Sequence, residues 1–173
     1  MNEEHLDKFI EILETFDTAM LVTRRGSELR SRPMAIADKT RDGRVWFVTS
    51  VDSATLEELT EHPEVNVAMQ AESKFLSISG TFRATRDREK IDELWQTSFE
   101  NSFEKGKDDP ALVLLEIVPT YVEYWDQSGA QSISFMFAAA KGAVTGEAPE
   151  AEGMHGKVDF PRTETELHQP SRH

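Results

Sequence analysis

The sequence predicts a mainly β chain of the α+β class, an antiparallel β-barrel decorated by helices. Short runs of β-branched and aromatic residues recur at close spacing, with turn-forming residues between them. Helical apolar stripes are inserted among these runs without the regular βαβ alternation that would build a parallel sheet. The 173 residues are enough for one domain with a real core and too few for two of ordinary size.

The elements follow in order. Leu6, Phe9, Ile10 and Leu13 fall at i, i+3, i+4 and i+7, which predicts a helix over residues 3–16, with Glu3 and Glu4 at its positive end. The period then changes. Residues 19–23, 29–37 and 45–49 read as three strands, separated by an Arg24-Arg25-Gly26-Ser27 turn and an Asp42-Gly43 turn, an antiparallel meander. A short helix over 54–62 follows, capped by Asp52 or Ser53, with Leu56 and Leu59 inward and Pro63 just past its end. Residues 65–69 and 75–84 form two more strands. Asp87 caps a further helix whose inward stripe is Ile91, Leu94, Trp95 and Ser98. Apolar stretches at 111–118 and 121–125 and an edge strand at 133–140 complete the barrel. From about Thr145 periodicity vanishes, so residues 147–173 are expected to be a polar tail that is disordered or drapes over a partner, and 1–146 the domain.

Composition narrows the function. The net charge is −13, and such a surface repels nucleic acid and anionic membranes, so neither is expected as a partner. The chain has no cysteine, which removes disulfides, thiolate metal sites and cysteine nucleophiles. It carries neither a signal-peptide pattern nor an apolar run of about 18–20 residues, so a cytoplasmic location is expected. No glycine-rich phosphate loop, nucleophile elbow or zinc-helix motif occurs. Of the five histidines, His155, His168 and His173 fall in the tail. His62, beside Pro63, is read as an end-of-helix residue rather than a ligand. No catalytic acid–base residue and no metal site can be named, so a bound cofactor is expected to carry any chemistry.

Two segments point to an anion. Residues 24–44 hold seven basic and three acidic side chains in an otherwise acidic chain. Most of the seven sit near turns and read as solvated. Arg32 does not: it lies within a strand immediately before Pro33, which cannot donate to a sheet ladder, so the chain there should be at an edge or bulge. The second segment is Thr49-Ser50-Val51-Asp52-Ser53-Ala54-Thr55, hydroxyl-rich and opening a helix. It serves equally well as a plain cap or as a phosphate cradle of free N–H groups and hydroxyls.

The order of these motifs resembles a known family. Met20-Leu21-Val22-Thr23, Ser31-Arg32-Pro33-Met34, Val45-Trp46-Phe47-Val48-Thr49, Ser53 opening a helix and Ser77-Ile78-Ser79-Gly80 are similar to the pyridoxamine-phosphate-oxidase-like flavoproteins. Gly106-Lys107-Asp108-Asp109-Pro110, Tyr124-Trp125-Asp126 and Ala143-Val144-Thr145-Gly146 resemble its general stress protein 26-like branch. The resemblance implies a six-stranded antiparallel split β-barrel with flanking helices, of the FMN-binding split-barrel type. It also implies a homodimer with FMN in two clefts between subunits. Carried over by position, Arg32, Pro33 and Met34 would line the flavin ring, and Val48, Thr49 and Ser50 would meet the ring and ribityl chain. Ser53 and the helix start would take the phosphate, and Trp125 would approach from the other subunit.

One departure bears on affinity. Members of the family carry a lysine two residues after the serine, where this chain has Thr55. The loss of a charged hydrogen bond costs about 1.5–3 kcal/mol, which Thr55 replaces in part with a neutral one. The resemblance implies a flavin-dependent oxidoreductase using a small-molecule electron donor or acceptor. It leaves open a non-enzymatic FMN carrier or sensor, a cofactor-free interaction protein, and a deazaflavin or haem in place of FMN.

Overall fold

The computed structural model describes residues 3–96, 99–100, 103, 105–126 and 155–160. Its elements in chain order are helix α1 (Glu3–Leu13), strands β1 (Thr18–Arg25), β2 (Glu28–Lys39) and β3 (Val45–Ser50), helix α2 (Ala54–Glu61), strands β4 (Glu64–Gln70) and β5 (Lys74–Thr85), helix α3 (Arg88–Leu94), and strands β6 (Leu112–Asp126) and β7 (His155–Asp159). The strands pair in the order β3-β2-β1-β4-β5-β6-β7, and β3 also pairs with β6. That last pairing closes β1 to β6 into a six-stranded antiparallel barrel, with β7 added outside the closure on β6.

Strand β6 makes closure possible by its length. Its first half pairs with β3 from Leu112 to Ile117, and its second half pairs with β7 from Tyr121 to Trp125. Strand β5 runs alongside both halves, with an irregularity between Ser79 and Gly80 where Gly80 faces Pro119. The sequence places a break at Pro119-Thr120. Instead, 111–118 and 121–125 merge into one strand, because a bulge at Thr120, the β6 residue left without a β5 register partner, lets the ladder pass the proline that cannot donate to it.

Alternation fills the barrel. Leu21, Phe47, Val67, Ile78, Leu115 and Val122 point inward and are buried, and Phe9, Ile12 and Leu13 of α1 pack onto the same core. Neighbouring residues on β3 face opposite sides, so Phe47 joins this core. Trp46 joins a second one with Ile91, Leu94, Phe99, Phe103 and Leu114 under α3. Helix α1 stops at Leu13, short of the expected residue 16, and α3 at Leu94, before the Trp95 and Ser98 of its expected stripe. Trp95 is the half-buried C-cap of α3, edge-on to Phe99 and Phe103, and Ser98 lies outside the described residues. The strand expected at 133–140 also lies outside them.

The tail expected to be disordered or to drape over a partner contains β7. Its local signal is weak, with Val158 the one buried large apolar residue, and its partners hold it in place. Gly156 lies over the ring of Tyr124, so close that a Cβ there would stand 2.4 Å from the ring. The Tyr124 hydroxyl shares a 2.8 Å hydrogen bond with His5 Nδ1, which ties α1, β6 and β7 together. Gly156→Ala is therefore expected to detach β7 at a cost of about 1–3 kcal/mol. Amide exchange should show lost protection at 155–159 with the barrel strands unchanged.

A candidate anion site between strand β2 and helix α2

Strand β2 pairs with one neighbour at a time, β1 along residues 28–35 and β3 along residues 36–39. Residues 28–35 face β1 alone, and β3 joins from Ile36 after a bulge between Ile36 and Asp38. Pro33 thus sits in a half-strand with one open edge, where its missing N–H leaves no gap in a ladder. Arg30, Arg32 and Met34 lie opposite Thr23, Leu21 and Ala19, all buried, so they share the inward face, while Pro33 points outward beside Met20. Helix α2 packs over this open end of the barrel.

Local chemistry sets how α2 begins. Ser53 has extended backbone angles (φ −74°, ψ 139°), and its Oγ accepts from the Leu56 N–H at 3.2 Å, an N-cap. Thr49 Oγ1 donates to the same Ser53 oxygen at 3.0 Å, and Ser50 Oγ accepts from the Asp52 N–H at 3.3 Å. Ser53 therefore accepts twice and keeps its own proton for another partner. The N–H groups of Ala54 and Thr55 have no acceptor among the described residues, as expected for a first turn.

Arg32 reaches this turn. Its Nη1 donates to Thr55 Oγ1 at 2.9 Å, and its Nη2 donates to Glu58 Oε2 at 2.5 Å. The same Glu58 oxygen accepts from Thr23 Oγ1 at 2.6 Å. Glu58 is only 2% exposed, and its other oxygen, Oε1, has no hydrogen-bond partner, the nearest cation being Arg30 Nη1 at 3.8 Å. Burial pushes the Glu58 carboxyl up. The bonds from Thr23 and Arg32 and the charges of Arg32 and Arg30 outweigh it and hold the group below the usual glutamate range.

The geometry brings together Arg32, Thr49, Ser53 and Thr55, with Ser50 at the edge and Met34 on the same face as Arg32. Val48 faces the second core and Pro33 the outside of the barrel. Trp125 is distant. Leu112 is the partner of Ser50, and Trp125 lies roughly 13 residues further along β6, about 40 Å of extended strand. It stacks instead on His155 of β7, with ring centroids 5.3 Å apart and planes 14° from parallel. His62 is the C-cap of α2, its N–H bonded to the Glu58 carbonyl.

Sequence reasoning missed Glu58. The signal was available: Thr55, Glu58 and Leu59 fall at i, i+3 and i+4, one helix face, and all three are buried. Leu56, expected inward, is only partly buried. A concavity of about 510 Å³ lies on the solvent side of α2, lined by Val51, Asp52, Ser53, Leu56, Glu57, Thr60 and Glu61. Its three carboxylates and lack of a cation make it a poor place for an anion. The donors around Arg32 do have the right chemistry: a guanidinium, two hydroxyl protons and two free N–H groups suit the oxygens of a phosphate monoester. Among the described residues no cluster of side chains is arranged to hold a metal, and no helix is long and apolar enough to cross a membrane.

A split barrel with this site at the start of its second helix defines a class, and the comparison with known proteins agrees with it. Residues 4–150 match the model of the pyridoxamine 5'-phosphate oxidase-like family, and the chain belongs to that family. It is 27% identical over 126 residues to general stress protein 26 of Bacillus subtilis (strain 168), an alignment covering 69% of this chain and 87% of that one. Among solved structures it is similar to the general stress FMN/FAD binding protein of Xanthomonas citri, at 30% identity and a TM-score of 0.65, over 75% of this chain and 93% of that one. General stress protein 26 of Bacillus anthracis str. Sterne shares the fold, at 21% identity and a TM-score of 0.64, over 72% of this chain and 94% of that one.

Proposed function

We propose that the protein binds FMN and works as a cytoplasmic flavin-dependent oxidoreductase, passing electrons between small-molecule donors and acceptors. The observation that carries this reading is the hydrogen bond from Arg32 to Thr55 at the first turn of α2, in a chain whose family includes an FMN/FAD binding relative. In this reading Ser53, Thr55, the Ala54 and Thr55 N–H groups and Arg32 hold the phosphate. Thr49, Ser50 and the backbone at Val48 orient the ribityl chain, and Met34, on the face of Arg32, borders the ring. The flavin supplies the electron-carrying ring, and the protein fixes its position and keeps cations near it. Thr55 accepts from Arg32 and so still has its own proton to give a phosphate oxygen, partly replacing the lysine usual at this position.

A homodimer follows from the same reading, because Trp125 of one chain is too far from its own α2 to share the site. The outer face of β1, β4 and β5 supports pairing. Met20, Ala68 and Ser77 form one cross-strand row and Val22, Asn66 and Ser79 the next, all uncharged in a chain that is 29% charged. Met20 is 40% exposed there.

The second reading is a flavin holder that does not turn over. It is favoured by the lack, among the described residues of the cluster, of a proton-exchanging side chain other than the buried, ionised Glu58. The test is to denature the purified protein, identify any released flavin by mass, and assay the intact protein for steady-state oxidation of reduced nicotinamide. Released FMN at one per subunit with turnover supports the oxidoreductase. FMN without turnover supports the holder, and absence of flavin after reconstitution defeats both.

A further inference from the structure

Glu58 stands out among the groups the proposed function leaves without a role. It is a buried carboxylate, bonded to the guanidinium of Arg32 that reaches the first turn of α2, and one of its oxygens has no hydrogen-bond partner among the described residues. We propose that Glu58 is a built-in anion that competes with a bound phosphate group for Arg32, and so sets how strongly the site prefers a phosphate-bearing flavin over its uncharged counterpart. This rests on reading the Arg32–Ser53 cluster as a phosphate site.

The argument is one of shared charge. Arg32 spends Nη2 on Glu58 and Nη1 on Thr55, so a ligand at the α2 turn meets a guanidinium whose charge is already half answered. Arg30, with Nη1 3.8 Å from Glu58 Oε1, offsets part of the carboxylate's charge, but no bond takes it to the α2 turn, so it does not restore the donors Arg32 has spent. Asp52 and Glu57 line the neighbouring concavity, which shares Ser53 with the cluster, and add negative charge there. For one unit charge on each group at an assumed separation of about 7 Å, an effective dielectric of about 20–80 gives a repulsion that weakens binding by about 3- to 50-fold, and any second charge on the phosphate adds to it. A neutral ligand is spared this.

The alternative is that Glu58 only aims Arg32, and Glu58→Gln separates the two ideas. A glutamine keeps an oxygen where Oε2 accepts from both Arg32 and Thr23, and sets its NH2 where Oε1 bonds to nothing. Geometry is largely retained while the charge goes.

The test compares FMN and riboflavin binding to cofactor-free wild type and Glu58→Gln by quenching of flavin fluorescence. FMN affinity rising by about 3- to 50-fold, with riboflavin unchanged, supports the inference. Unchanged or weaker FMN binding, or an equal change for both flavins, overturns it. The gain must also vanish in Arg32→Gln/Glu58→Gln, because Glu58 acts through Arg32, and a gain that survives there overturns it too. If neither flavin binds wild type or variant, the flavin reading has failed, and inorganic phosphate becomes the probe in thermal melts. Stabilisation of Glu58→Gln at a several-fold lower phosphate concentration than wild type then upholds the inference for an anion site. Equal or absent stabilisation ends it.

Discussion

Gly80→Ala is expected to lower the melting temperature by about 6–12 °C, from a destabilisation of about 3 kcal/mol. The cause is close approach. A Cβ at position 80 would stand 2.1 Å from the Val118 carbonyl oxygen and 3.2 Å from the Pro119 Cα, both backbone atoms with no freedom to swing aside. The clash can be relieved only by prying β5 from β6 at the point where β6 passes from its β3 half to its β7 half. Against a total stability of about 5–15 kcal/mol for a typical domain, that is a large share. Thermal or urea denaturation measures it, and a variant as stable as wild type would mean the strands tolerate separation here.

Arg32→Ala is expected to cost about 2–4 kcal/mol at neutral pH, below the full loss for a wholly buried pair because Arg32 is itself partly exposed. The variant leaves Glu58 buried with Thr23 as its remaining hydrogen-bond donor. The pH dependence identifies the cause. In wild type the Glu58 carboxyl is held below its usual range, so its contribution to stability is present above the unfolded-state value and is lost as pH falls through the lower folded value. Without Arg32, burial is opposed only by the Thr23 bond and the Arg30 charge, so that value rises and the folded variant takes up a proton more readily than folded wild type. The gap between the two proteins should be widest near neutrality and shrink with acidification, as read by denaturant titrations across pH. Arg32→Leu/Glu58→Leu, which removes both charges together, should recover much of the stability while losing anion binding. A pH-independent gap would contradict this account of Glu58.

What the sequence made legible were the features written in local chemistry. A cap at Asp52 or Ser53 could be named, and Ser53 is the one that serves, because capping needs only the residue and the turn after it. Pro33 marked the half-open strand because a missing N–H is a property of one residue. Asp87 capped α3 for the same reason as Ser53. What escaped depends on partners distant in sequence. Pro119 reads as a strand break until Gly80 is seen opposite it. His155-Gly156-Lys157-Val158-Asp159 has no strand pattern of its own, and it is a strand only because β6 offers an edge and Tyr124 a surface for Gly156. Glu58 reads as solvated because glutamates usually are, and Thr23 together with the inward turn of Arg32 makes its burial tolerable. The site was legible in its cap, hydroxyls and arginine, but not in the carboxylate that ties the arginine down.

The most direct measurement is an equilibrium titration of the cofactor-stripped protein with FMN, followed by quenching of flavin fluorescence, with Ser53→Ala alongside. The account predicts saturable binding of one FMN per subunit at about micromolar affinity or tighter, weakened in Ser53→Ala by loss of the hydroxyl donor and the cap. Absence of binding up to about 1 mM, a free energy no better than about −4 kcal/mol, would contradict it and leave this split barrel without its flavin.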